Sequence, residues 1–174
     1  GAAGVAATLS APAIAQSLPN IRWRLASSFP KSLDTIYGGA EVLAKRLAAI
    51  TGGKFQISVH AAGELMPAFG VVDAVQGGSV ELAHTAAYYF VGKNKTFGFE
   101  TTIPFGMNQR QQNAWMYYGG GLQLVREFLS DYNIISFPGG NTGVQMGGWF
   151  RKELKSIDDL KGCLLYTSDA ADEG

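Results

Sequence analysis

An α/β fold built on a parallel sheet is the class this sequence predicts, and three observations predict it. Short stretches of alternating apolar and polar residues recur along the chain, the pattern of half-buried strands. Longer stretches between them carry apolar residues at helical spacing. Glycine pairs, at Gly52-Gly53 and Gly77-Gly78, stand where those helices should stop. Strands that alternate with helices pair in parallel, because the helix returns the chain to the same end of the sheet.

The elements follow in order. Residues 21–28, IRWRLASS, alternate and predict the first strand. Ser32 or Asp34 can cap the helix that follows, in which Ile36, Ala40, Leu43, Leu47 and Ile50 share one face. Residues 55–60, FQISVH, predict the second strand. Residues 67–76 predict a short helix with Val71, Val72 and Val75 inward, and residues 80–87 the third strand. Residues 108–132 read as helical, with Trp115, Tyr118, Leu122, Val125 and Leu129 on one stripe and a break at Gly119-Gly120-Gly121. Residues 133–138 and 144–150 predict two more strands. Ser156 with Asp159 has the spacing of a capping box at a helix start.

The two ends read differently from the middle. Residues 1–15 are rich in Ala, Gly and Val, and Ala13-Ile14-Ala15 before Gln16 fits the cleavage pattern of a secretory signal. The weakly hydrophobic run has the look of a twin-arginine signal and is too short to span a bilayer. Residues 163–173, CLLYTSDAADE, back-translate in one frame into a transposon end and sequencing adapter. Residues 163–174 are therefore expected to be translated adapter and not native sequence.

Between them, residues 16–162 amount to one domain's length. With 47% hydrophobic residues such a chain can bury a core. Fourteen basic and fourteen acidic residues balance, so nothing points to a nucleic-acid or anionic-membrane partner. The one cysteine, Cys163, falls in the expected adapter, which removes disulfides, cysteine metal sites and thiol nucleophiles from the rest. An export signal without cysteines suits a bacterial periplasmic protein.

Several residues are candidates for a site. Gln145 is one uncharged amide in an apolar run, NTGVQMGGWF, thinned by Gly143, Gly147 and Gly148 and walled by Trp149 and Phe150. A few fixed polar groups in such a setting suit a small-molecule pocket. On its residues alone the run also reads as a buried strand whose Gln is satisfied by backbone, and that reading is the favoured one. Tyr88 and Tyr89 follow the third predicted strand, and ligands of open α/β sheets bind outside the carboxyl ends of strands. A phenol there can donate to a carboxylate, or simply pack between lobes; alternation along an extended chain would turn only one of the two toward a cleft. Asn141 could bond a ligand or make an Asx turn. Phe29, after the first strand, could wall a pocket or fill a core, and Trp149 reads as structural. His60 and His84 lack metal-ligand spacing and read as packing or surface residues. Ser27 and Ser28 lack a nucleophile elbow, Glu41, Glu64 and Glu81 read as solvated charges, and no phosphate-binding glycine motif occurs.

Four separated motifs carry a resemblance: WRLASSFPKSLDT, HTAAYYFVGK, IPFGMNQRQQNAW and NTGVQMGGWFRKELKSIDDLKG. Together they resemble the periplasmic solute-binding proteins of TRAP (tripartite ATP-independent periplasmic) transporters, DctP-type, in the branch that takes 2-oxo acids, lactate and related carboxylates. The resemblance covers residues 21–162. It implies a two-lobed α/β solute-binding fold, with residues 16–132 as most of the first lobe and 133–162 as the start of the second. It implies a periplasmic receptor and not an enzyme, which binds a small organic anion between the lobes and passes it to the TRAP membrane permease subunits. By this resemblance Tyr88 and Tyr89 line the pocket. The Gln145 oxygen lies beside the substrate and in some members ligates a substrate-bridging cation, sodium or calcium. The carboxylate-clamping arginine and the other metal ligands of the family fall after residue 162, and some members dimerise through a later helix. The alternatives are the ligand-binding domain of a sensor or ABC-type system and, further off, a periplasmic enzyme on a similar scaffold.

Overall fold

The computed structural model describes residues 19–101, 103–143, 150 and 153–161. The expected signal and the expected adapter lie outside these residues. So do Gln145, Trp149 and most of the strand expected over 144–150.

Three strands form one parallel sheet in the order β2-β1-β3. β1 (Ile21–Ser27) is central. It pairs with β2 (Phe55–His60) from Ile21↔Phe55 to Ala26↔His60, and with β3 (Leu82–His84) from Leu25↔Leu82 to Ser27↔His84. The expected α/β class and parallel pairing are what the structure has. The third strand is shorter than the expected 80–87. Its ladder rests on one neighbour, and after His84 the chain leaves the sheet and coils into a 3-10 turn at Ala87–Phe90. Arg24 ties β1 to the residue before β3. Its backbone N–H and guanidinium donate to the Glu81 carboxylate at 2.7 and 3.0 Å. These bonds pull Glu81 down to about 2, so it is a paired charge and not the freely solvated one expected. Glu64 is likewise paired, with Lys31 and the Ala61 N–H.

α1 (Asp34–Ile50) connects β1 to β2. Neither expected cap forms. Leu33 holds the cap position without a side-chain bond, and Asp34 instead lies in the first turn, where a carboxylate meets the positive end of the helix dipole. The expected inward face also shifts. Tyr37 and Ala40 are buried, whereas Leu43 and Ile50 are exposed, because only the first half of the helix lies over a small cluster with Phe29 and Ala61. α1 ends in left-handed backbone at Gly52 (φ 59°) and Gly53 (φ 77°), the conformation that glycine adopts without a Cβ clash.

Next comes a 3-10 turn, Ala68–Gly70, running into α2 (Val71–Gln76), which buries Val71 and Val72 as its spacing predicts. After β3 follow a short α3 (Gly98–Thr101), α4 (Gln109–Tyr118) and α5 (Gly121–Ser130). The expected break at the glycine triplet separates α4 from α5. Asn108 starts α4 with a reciprocal capping box to Gln111. The break resets the helical phase, so Tyr118 leaves the expected stripe and is 92% exposed, while Val125 and Leu129 are buried. The main core gathers Ala26, Val71, Val72, Val80, Phe90 and Phe97 with Met116, Val125 and Leu129.

Residues 133–138 are not a strand. Asn133 is in left-handed backbone (φ 56°), and no partner strand lies beside this stretch among the described residues. Arg126 holds it instead: its Nε donates to the Ser136 carbonyl (3.1 Å) and its guanidinium sits 4.8 Å from the Phe137 ring. The Ser156–Asp159 capping box forms as expected and opens a 3-10 turn, Ile157–Leu160. Among the described residues no helix is long and apolar enough to cross a membrane.

Candidate functional site

The carboxyl ends of all three strands open on the same edge, because the strands are parallel. The chain leaves β1 through Ser28 and Phe29, β2 through Ala61 and β3 through Thr85. Aromatic side chains gather there. The Tyr89 ring stands edge-on to Phe69 at 5.3 Å and lies 6.2 Å from Phe29, and Tyr88 packs on Tyr89 at 4.6 Å. Such tilted and T-shaped pairs place positive ring edges against negative faces.

The tyrosines are therefore not the alternating pair that the sequence suggests. They lie in a 3-10 turn, Ala87–Phe90, and their rings touch each other. Tyr89 borders both core clusters, whereas Tyr88 belongs to neither. Phe29 is buried at 7% exposure in the smaller cluster, behind Tyr89, with Tyr37 and Ala61. Of its two expected roles, core packing is the one its burial favours. Phe69, 48% exposed on the open side of Tyr89, was not singled out by the sequence, although its place after β2 could have found it.

Polar groups brace this edge from below. Ser28 is fully buried, and its hydroxyl donates to the Ala68 carbonyl and meets Thr85 Oγ1, both at 2.7 Å. Ser27 Oγ accepts from the Phe29 N–H (3.1 Å) and stands 3.3 Å from His84 Nδ1. Both serine side chains are engaged in bonds within the fold. Across the edge, Lys31 and Glu64 join the loops after β1 and β2; this pairing holds the Glu64 carboxyl below its ordinary value and the Lys31 ammonium above its own.

The other expected site residues stand apart. The Asn141 side-chain oxygen accepts from the Gly143 N–H (2.7 Å), which closes an Asx turn on an exposed stretch. Gln145 lies outside the described residues. Among the described residues no group of three or more His, Cys, Asp or Glu could hold a metal ion. A separate cavity of about 160 Å³ lies among α3, α4 and α5, lined by Phe97, Phe99, Glu100, Trp115 and Phe128. Burial pushes the Glu100 carboxyl up, against an opposing contribution from Ser136. This cavity is not on the strand edge and has one polar side chain of note, so it is not the candidate site.

A model of the bacterial extracellular solute-binding proteins of family 7, DctP, matches residues 26–172. The chain belongs to the DctP family. A monocarboxylate 2-oxoacid-binding periplasmic protein of Nostoc sp. is 54% identical over 145 residues, which are 83% of this chain and 40% of that protein. Among solved structures, a TRAP transporter solute-binding protein of Bordetella bronchiseptica, with copurified calcium and picolinate at its active site, is 52% identical with a TM-score of 0.79. The match covers 82% of this chain and 42% of that one. A TRAP periplasmic solute-binding protein of Colwellia psychrerythraea, with calcium and pyruvate, is 42% identical (TM-score 0.77; 81% and 43% covered). One from Pseudoalteromonas atlantica, with sodium and pyruvate, is 44% identical (TM-score 0.76; 81% and 43% covered). This DctP chain thus spans about two fifths of the length of the relatives it matches.

Proposed function

We propose that this chain is the amino-terminal part of a periplasmic receptor subunit of a TRAP transporter. It binds a small organic acid, a 2-oxo acid, lactate or a related carboxylate, in a cleft between two lobes. It then delivers the ligand to an ion-gradient-driven permease, and it is a receptor and not an enzyme. The observation that carries this reading is the aromatic set at the carboxyl edge of a parallel sheet, in a chain 54% identical to a 2-oxoacid-binding protein.

The chemistry suits such a ligand. A 2-oxo acid has a charged end, which needs donors, and a short apolar end, which needs to leave water. The rings of Tyr88, Tyr89 and Phe69 offer apolar surface, and a tyrosine O–H can donate to a carboxylate or keto oxygen. Hinge closure of a second lobe over this edge would exclude water and strengthen those bonds. Asn141 and Gln145 orient the ligand in this proposal. The relatives' calcium and sodium make Gln145 a candidate to supply one oxygen to a bridging cation; hard cations take carbonyl oxygens. A single amide does not make a cation site, and no step is assigned to it.

Calorimetric titration of the full-length protein with pyruvate, 2-oxobutyrate, lactate, a dicarboxylate and a sugar acid tests the reading. Binding of a 2-oxo acid in preference to the dicarboxylate and the sugar acid is the expected result. Binding of none of the panel would defeat it, and turnover of a bound acid would return the enzyme alternative.

A further inference from the structure

We propose that His84 is a positioning residue of the cleft: its uncharged ring accepts the Ser27 hydroxyl proton and thereby seats Phe29, the backing of the Tyr89 wall. The proposal rests on the reading of the strand edge as the ligand site.

The argument is one of proton accounting. Ser27 is 1% exposed, so its hydroxyl has no access to solvent. The Phe29 N–H donates to Ser27 Oγ at 3.1 Å, which uses an oxygen lone pair and leaves the hydroxyl proton in need of an acceptor. His84 Nδ1, at 3.3 Å, is that acceptor, but only in the neutral tautomer that carries its proton on Nε2. A protonated His84 would donate from Nδ1 toward Ser27, and the buried hydroxyl proton would lose its partner. His84 lies edge-on to Phe29 at 5.1 Å, and Phe29 in turn lies 6.2 Å from Tyr89. A small rotation at Ser27 therefore reaches Tyr89 through one intervening ring.

Burial lowers the His84 pKa from 6.5, and no charged side chain contributes to the shift. The other titratable groups on this edge are His60, Glu64 and Lys31, in a chain of contacts across the loops of β1 and β2, with the phenols of Tyr37, Tyr88 and Tyr89. His60 lies on the same edge, so a pH profile is compared between variants that differ only at position 84.

The full-length protein serves, with pyruvate as the probe. Calorimetry from about pH 8 to about pH 5 is expected to show wild-type affinity falling by about tenfold as His84 takes up its proton. His84→Asn keeps an uncharged acceptor near the Nδ1 position, and it should flatten that acid limb and bind pyruvate more tightly than His84→Ala. Identical pH profiles for wild type and His84→Asn, or His84→Ala binding as tightly as wild type, would overturn the proposal. A second measurement needs no ligand. The Phe29 amide proton shift, followed by NMR, should titrate in the wild type and not in His84→Asn. A Phe29 amide that does not titrate in the wild type overturns the proposal even if no acid binds. Titration of that amide in a protein that binds none of the acids upholds the Ser27–His84 link and instead removes the reading of the edge as the site.

Discussion

Tyr88 and Tyr89 are neighbours in sequence with different duties in the structure. Tyr89 is wedged between Phe29, Phe69 and Tyr88 and borders both clusters of the core. Tyr88 packs on Tyr89 and belongs to neither cluster. Tyr88→Phe in the full-length protein is therefore expected to weaken binding of a 2-oxo acid by about tenfold or more, the worth of a hydrogen bond to a charged group, with the thermal midpoint unchanged. Tyr89→Ala should lower the midpoint and the affinity together. The reverse pattern, measured by calorimetry and thermal melting, would exchange the two roles. The position of the pair was legible in the sequence, because a strand pattern ran straight into it. Their shared turn was not, because an alternating strand pattern gives no sign of where the chain leaves the sheet. His84 was illegible for a different reason. Its partner Ser27 lies 57 residues away, and only the pairing of β1 with β3 brings them together.

At the scale of elements, the corner between α4 and α5 is the sharpest constraint. Gly120 is in left-handed backbone (φ 81°), and a Cβ on Gly121 would meet the Trp115 ring at 2.5–2.7 Å. The indole lies flat against the start of α5 because nothing larger than hydrogen stands there. Gly121→Ala must displace that ring, and it should destabilise the full-length protein by roughly 1–3 kcal/mol, as overpacking does. Urea titration measures it, and a change within error of zero would show that Trp115 relocates freely. The break itself was readable, since three successive glycines interrupt a helical pattern. The expected strand over 133–138 was misread because period-two alternation is also what an extended tether shows. Arg126, and not a partner strand, is what holds it.

For the whole molecule, a parallel α/β class followed from the alternation of patterns, but the order β2-β1-β3 did not. Periodicity tells which face of a strand is buried and nothing about which strand lies beside it. The described surface also leaves large apolar groups open to water. Ile50 is 80% exposed, Phe137 70%, Ile157 83% and Phe105 fully so. Both edge strands are unpaired on their outer sides among the described residues, and unpaired edges with exposed apolar groups favour association over folding. The chain expressed by itself should accordingly melt over a broad range and bind a hydrophobic dye. Scanning calorimetry that gave one sharp, reversible two-state transition would contradict this.

The sheet order also sets a schedule for synthesis. The central strand, β1, is the first of the three to leave the ribosome, and each of its neighbours comes later in the chain. Its backbone bonds on one side wait for β2, and on the other for β3, whose ladder closes only at His84. Until β3 is made, β1 has one edge without its partner strand. That delay is the interval in which the open edge of β1 is available to other partners.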